Sequence, residues 1–170
     1  MELIKMYNAQ RQLDEHIEKE HPRQPGEERM TMKIIALFVE ASELANEIRA
    51  FKYWSTKDPS DKPVILDEIA DVISFLLSIG NDNNWTDILL YHEIRHMENE
   101  DVFENDVNYM TALMFMTISE FAAGSLKQEY NMVFAVVVKF AFLLGFTWEE
   151  IEAAYFKKNQ INHIRQENSY

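Results

Sequence analysis

The sequence predicts an all-α fold, a helical bundle, and three observations carry that prediction. Only four Gly and four Pro occur in 170 residues, so there are few places where a helix must stop. Apolar residues recur at helical spacing through each long segment. No strand pair and no alternation of strand and helix is evident, although "VFAVVV" contains strand-forming residues.

Residues 2–20 read as an amphipathic helix, with Leu3, Ile4, Tyr7, Leu13 and Ile17 available for burial. "HPRQPGEE" breaks it with two prolines and a glycine. A second helix is expected over 27–54, where Ile34, Leu37, Phe38, Ala41, Leu44, Ala45 and Ile48 keep the helical period. "STKDPSDKP" is a loop, with Ser60 or Asp61 as N-cap of the next helix and Pro63 in its first turn. That third helix, "VILDEIADVISFLLSIGND", ends at or just past Gly80. A less regular helical piece is expected over 86–97. Helices over 105–121 and 127–144 are separated by Gly124 and Ser125. "TWEE" has the form of a capping box, Thr147 with Glu150 three residues on, and opens the last helix, "IEAAYFKKNQINHIRQ". No internal repeat, low-complexity segment or linker appears, so residues 1–170 are read as one domain.

Composition narrows the function classes. A hydrophobic content of 47% suits a globular chain with a sizeable core. The net charge of −13 argues against a nucleic-acid binder, which needs a basic footprint. With no cysteine there is neither a disulfide framework nor a thiolate metal site. The N-terminus lacks the basic region and apolar block of a leader, and the run "MVFAVVVKFAFLLGF" is interrupted by Lys139. A cytoplasmic protein that does not enter membranes is the expectation.

Two carboxylate pairs stand out. Glu40 and Glu43 lie three apart, as do Glu68 and Asp71, so each pair projects from one helix face. An isolated ExxE is common on a solvated face. The second pair, however, sits in "ILDEIADVISFLLSI", which leaves little room for a solvated face. Packed antiparallel, the two helices could bring four carboxylates to one point. Such crowding is unfavourable unless the acids are protonated or a hard cation neutralises them. Glu47 extends the first stripe, while Asp67 and Asp82 add acid outside the paired pattern.

The C-terminal helix reverses the local charge. Lys158, Asn162 and Arg165 stand at i, i+4 and i+7, and no acid intervenes from Lys157 until Glu167. Two cations and an amide on one face suit phosphate oxygens and a sugar hydroxyl. Basic groups near a helix C-terminus also complement its dipole, which suffices for Lys157.

In order along the chain, "YNAQRQLDEHI", "VEASELANEIRAFKYW", "LDEIADVISFLLSIGND" and "YFKKNQINHIRQENSY" together resemble the dimeric all-α dUTPase family. That family is a branch of the all-α nucleoside triphosphate pyrophosphatases, which include the MazG-like enzymes. The resemblance covers roughly half the chain, and the order of the four motifs is more specific than any one ExxE. It implies hydrolysis of dUTP to dUMP and pyrophosphate by a homodimer, with Mg²⁺ (or Mn²⁺) held by Glu40, Glu43, Glu68 and Asp71. Glu43 or Glu40 would orient or deprotonate the attacking water. Lys158 and Arg165 would hold phosphate oxygens and Asn162 the deoxyribose hydroxyl. Gln10, Asp14 and Trp54 would meet the base, with a buried helix-end aromatic as the alternative for Trp54.

The chain departs from the family pattern in places. Asp14 stands where an Asn is expected; an ionised Asp accepts from uracil N3–H but cannot donate to a carbonyl oxygen. Ser74 occupies a position where some relatives carry His. Other readings predict different behaviour: a pyrophosphatase for dCTP or a damaged nucleotide would differ in base preference, and a noncatalytic helical interaction module would turn over nothing. The run "VFAVVVKFAFLLGF" could form either the core or a dimer interface.

Overall fold

The computed structural model describes residues 2–86 and 106–168 of the chain. Six helices occur among the described residues, and no strand: α1 (Glu2–Glu20), α2 (Arg29–Ile48), α3 (Lys62–Asp82), α4 (Val107–Gly124), α5 (Lys127–Leu143) and α6 (Trp148–Glu167). The all-α expectation holds. The helical piece expected over 86–97 falls, except for its first residue, outside the described residues.

Helix α3 is the centre of the bundle and packs against α1, α2, α5 and α6. Its sequence dictates this position, because Ile65, Ile69, Val72, Ile73, Leu76, Leu77 and Ile79 are all buried and point to more than one side. A helix apolar on nearly every side must be surrounded. Cross-helix contacts fix the directions of its neighbours. Lys33 pairs with Asp82 at 2.6 Å near the start of α2, and Ser60, just before α3, bonds Glu47 near the end of α2, so α2 and α3 run antiparallel. The "VFAVVV" run is core: Val133, Phe134, Val136, Val137 and Val138 of α5 are all buried within the chain.

One tight contact locks this centre. The Tyr130 hydroxyl donates to the Leu76 carbonyl at 3.0 Å and lies 2.8 Å from the Tyr7 hydroxyl. With its proton directed to Leu76, Tyr130 accepts from Tyr7. Both rings press on Gly80, where a Cβ would stand 2.9 Å from Tyr7 Cε1 and 3.0 Å from Tyr130 Cζ.

Helix α2 ends at Ile48, six residues before the expected boundary at 54. Arg49 adopts a left-handed conformation (φ 62°) and its N–H caps the Ala45 carbonyl. The guanidinium then folds back to Ser55 Oγ at 2.8 Å, so residues 49–57 form turns instead of a further helical turn. At α3 the cap is Asp61, without a side-chain bond, followed by Pro63 in the first turn. The capping box of α6 is as expected: Thr147 Oγ1 accepts from Glu150 N at 3.2 Å, and Glu150 Oε2 from Thr147 N at 2.8 Å.

Candidate active site

Helices α1, α2, α3 and α6 enclose a cavity of about 1050 Å³. Glu40, Glu43, Glu68, Asp71, Lys158, Asn162, Arg165, Gln10 and Asp14 all line it. Residues 144 positions apart (Asp14 and Lys158) to 155 apart (Gln10 and Arg165) thus share one wall system, which explains why both ends of the sequence carry motif residues. Trp54 does not line the cavity; it lies beyond α2, 66% exposed, edge-on to Phe51 and Tyr53.

Glu40 from α2 and Glu68 and Asp71 from α3 offer carboxylate oxygens all within 4.8 Å of one another. Glu43 stands outside this triangle on the exposed side of α2, still on the cavity wall. The antiparallel packing of α2 on α3 produces the convergence, because the i, i+3 spacing turns each pair toward the partner helix. The electrostatic result is strain of one sign. Burial, then the charges of Asp71, Glu43 and Glu68, push the Glu40 carboxyl up to about 7. Glu68 is raised by burial and by Asp71 and Glu43, and Asp71 chiefly by burial.

Lys158 answers part of this excess. Its ammonium lies 2.6 Å from Asp71 Oδ2 and 2.6 Å from Asp67 Oδ2, with the side chain only 10% exposed. Burial alone would lower its pKa, but hydrogen bonds to Asp67 and Asp71 outweigh that and raise it, so Lys158 remains a cation. One turn further on, Arg165 Nη1 donates to Asn162 Oδ1 at 3.1 Å.

At the other end of the cavity, Asp14 Oδ1 accepts from Gln10 Nε2 at 3.0 Å and from Ser78 Oγ at 2.9 Å. Asp14 Oδ2 is buried with no hydrogen-bond partner among the described residues, and burial raises the carboxyl above its ordinary value. The other end of the Gln10 amide is also engaged, since Oε1 lies 3.2 Å from the Tyr155 hydroxyl, whose one proton it shares with the Met6 carbonyl. The Gln10 amide N–H holds the Asp14 carboxylate in place.

This wall combines a carboxylate triangle, a buried ammonium and a separate polar end, and one comparison decides what kind of protein carries it. A family model described as dUTPase matches residues 2–170. The chain belongs to the dUTPase_2 family. Membership makes it a nucleoside triphosphate pyrophosphohydrolase, a dUTP diphosphatase, and agrees with the all-helical fold. Among curated proteins none matches the chain.

Some groups at or beside the cavity of this dUTPase carry no motif in the sequence. Asp67 lies outside the paired pattern in the sequence, yet it stands four residues before Asp71 on the same face of α3 and shares Lys158 with it. Ser78 likewise follows Ser74 by four, and both line the cavity. Ser74 bonds back to the Ala70 carbonyl at 2.8 Å. Glu47, the third acid of the α2 stripe, accepts from Ser60 Oγ and secures the loop before α3 instead of facing the cavity.

Proposed function

We propose that this dUTPase hydrolyses dUTP to dUMP and pyrophosphate in a reaction that depends on a divalent cation, Mg²⁺ with Mn²⁺ as a substitute. The convergence of carboxylates from two helices on one cavity wall, with Lys158 beside them, carries the reading. The donor set fits such an ion: three hard oxygen donors lie close together, and burial, with mutual repulsion added at Glu40 and Glu68, disfavours their charged forms, a penalty that a cation relieves. Glu40, Glu43, Glu68 and Asp71 would hold it. When bound, a divalent ion neutralises triphosphate charge and acidifies water enough for attack near neutral pH.

The remaining work belongs to side chains of this chain. Glu43 lies outside the triangle and orients the attacking water, accepting its proton at the carboxylate, with Glu40 the neighbouring candidate. Lys158 and Arg165 bind phosphate oxygens, and Asn162 binds the sugar hydroxyl. The base faces Asp14, which Gln10 and Ser78 hold in place. Pyrophosphate release from a panel of dUTP, dCTP, TTP and dATP tests the reading, with Mg²⁺ and with a chelator. Turnover selective for dUTP and abolished by chelation is expected. Equal release from every base would point to general nucleotide clearance, and full activity in chelator would overturn metal dependence.

The same reading includes a homodimer. Met32, Ile35 and Val39 form an exposed i, i+3, i+7 stripe on α2, and Tyr109 and Met116 are exposed on α4, which packs against α2. Val133, Phe134, Val136, Val137 and Val138 of α5 are spent on the core, and Ile35, Val39, Tyr109 and Met116 are among the exposed apolar groups of the described residues that a second copy could cover. Light scattering coupled to size exclusion should give twice the chain mass, and Ile35→Asp with Val39→Asp should give the monomer.

A further inference from the structure

Helices α1 and α6 run side by side, joined by three polar rungs. The Tyr155 hydroxyl donates to the Met6 carbonyl at 3.0 Å, Asn159 Nδ2 to the Ala9 carbonyl at 3.4 Å, and His163 Nδ1 lies 2.9 Å from His16 Nδ1. Partner numbers rise together, so the two helices are parallel. Residues 155, 159 and 163 stand four apart and share one face of α6. The first two rungs are buried in the core, while the third lies half-buried at the end of the seam.

The geometry of the third rung is specific. The ring centroids are 5.2 Å apart and the planes differ by 24°, with the two Nδ1 atoms 2.9 Å apart. Both nitrogens therefore lie close to the line between the ring centres. The rings meet edge to edge in nearly one plane, which is a hydrogen bond and not a face-to-face stack. Such a bond requires one proton between the nitrogens, with one ring donating and the other accepting. A shared transition metal does not fit, because the two lone pairs aim at one another instead of at a third point about 2.0–2.1 Å from each. His163 is held below its ordinary value by burial and then by His16, with Glu167 one turn along α6 acting in the opposite sense.

Neither ring lines the cavity, but each follows closely in its helix on a residue that does. His16 is two residues past Asp14, and His163 directly follows Asn162. We infer that the His16–His163 hydrogen bond is a positioning element for the nucleotide: it sets the height of Asn162 and Arg165 on α6 against Asp14 on α1. It thereby fixes the span between the groups that meet a base and those that meet sugar and phosphate. This inference rests on the nucleotide-hydrolysing reading given above.

The test combines dUTP kinetics with calorimetric binding of α,β-imido-dUTP in Mg²⁺, for the full chain and for His16→Ala, His163→Ala, the double variant and His163→Asn. Each single alanine variant should raise KM and the analogue Kd about tenfold while kcat stays within about twofold. The double variant should be no worse than either single, because both break one bond. Asn retains a donor and an acceptor near the Nδ1 position and should recover most of the loss. Unchanged KM and Kd in the single variants overturn the inference, as do additive losses in the double. A loss that follows a fall in thermal midpoint and is not recovered by Asn also overturns it. A wild type that binds the analogue but releases no pyrophosphate sinks the hydrolytic reading alone, and the Kd pattern still decides the role of the histidines. A wild type that does neither overturns both.

Discussion

Lys158 Nζ lies 2.6 Å from Asp71 Oδ2, joining the basic face of α6 to the acidic face of α3 inside the cavity wall. The pair links two motifs that are 87 positions apart in the sequence, and it makes the protonation of the acids depend on a lysine. Lys158 lowers the pKa values of Glu40, Glu68 and Asp71, each of which is nevertheless raised by burial.

Replacing Lys158 with Met should therefore destabilise the protein and at the same time weaken nucleotide binding. Breaking a buried pair by removing one partner costs about 3–5 kcal/mol, but the partly exposed Asp67 and Asp71 reduce this to about 1–2 kcal/mol. Thermal unfolding should show the loss without divalent cation and a smaller loss in saturating Mg²⁺, which supplies the missing positive charge. An equal loss in both conditions would mean that Lys158 contributes packing and not charge.

Glu40→Gln should separate stability from activity. The Glu40 carboxyl, normally near 4.5, is about 7 in the folded chain, so its stability contribution is fully present below the unfolded value and falls as pH rises through about 7. Without divalent cation the wild type should thus be less stable near pH 8 than near pH 5. The Gln variant should flatten that dependence and gain about 1–2 kcal/mol at the higher pH, a figure discounted for solvent screening. Pyrophosphate release should fall about 100-fold or more. Denaturant titrations at the two pH values check the first part, and steady-state kinetics the second.

Gly80→Ala should cost about 1–3 kcal/mol by overpacking, since the new methyl meets Tyr7 and Tyr130 in the middle of the bundle. The closest approach would be to the Tyr130 hydroxyl, so Tyr130→Phe in the same chain should return part of that loss. Tyr130→Phe alone should cost about 1 kcal/mol through the bond to Leu76. Strictly additive midpoints across the four proteins would exclude the contact as the cause.

Ser78→Ala should act on the base end of the cavity. It removes one of the two donors to Asp14 Oδ1 and one of the influences that lower that carboxyl, leaving burial less opposed. The KM for dUTP should rise about three- to tenfold with kcat retained. A change confined to kcat would place Ser78 with the reacting groups instead.

Much of this architecture is local and was therefore legible in the sequence. Helical periodicity, the capping box at Thr147 and the i, i+3 carboxylate spacing all express short-range geometry. The end of α2 was not legible, because a left-handed cap is normally signalled by Gly or Asn, while Arg49 gives no such signal and the apolar pattern runs on through Phe51 and Trp54. Asp67 carried a readable clue in its spacing from Asp71, but its partner belongs to the last helix. The His16–His163 bond lay further still from view, since nothing near either residue predicts that the first and last helices lie in parallel.

That parallel seam has a consequence for synthesis. A nascent chain released before α6 emerges already holds Glu40, Glu68 and Asp71, but Tyr155, Asn159 and His163 are not yet there to fix α1. Contacts of such long sequence separation form late and slow folding. The cavity is complete only when α6 docks beside α1. A product without α6 would carry the repulsive half of the site without Lys158 as its counter-charge, so docking of Trp148–Glu167 is the step that completes the cavity wall.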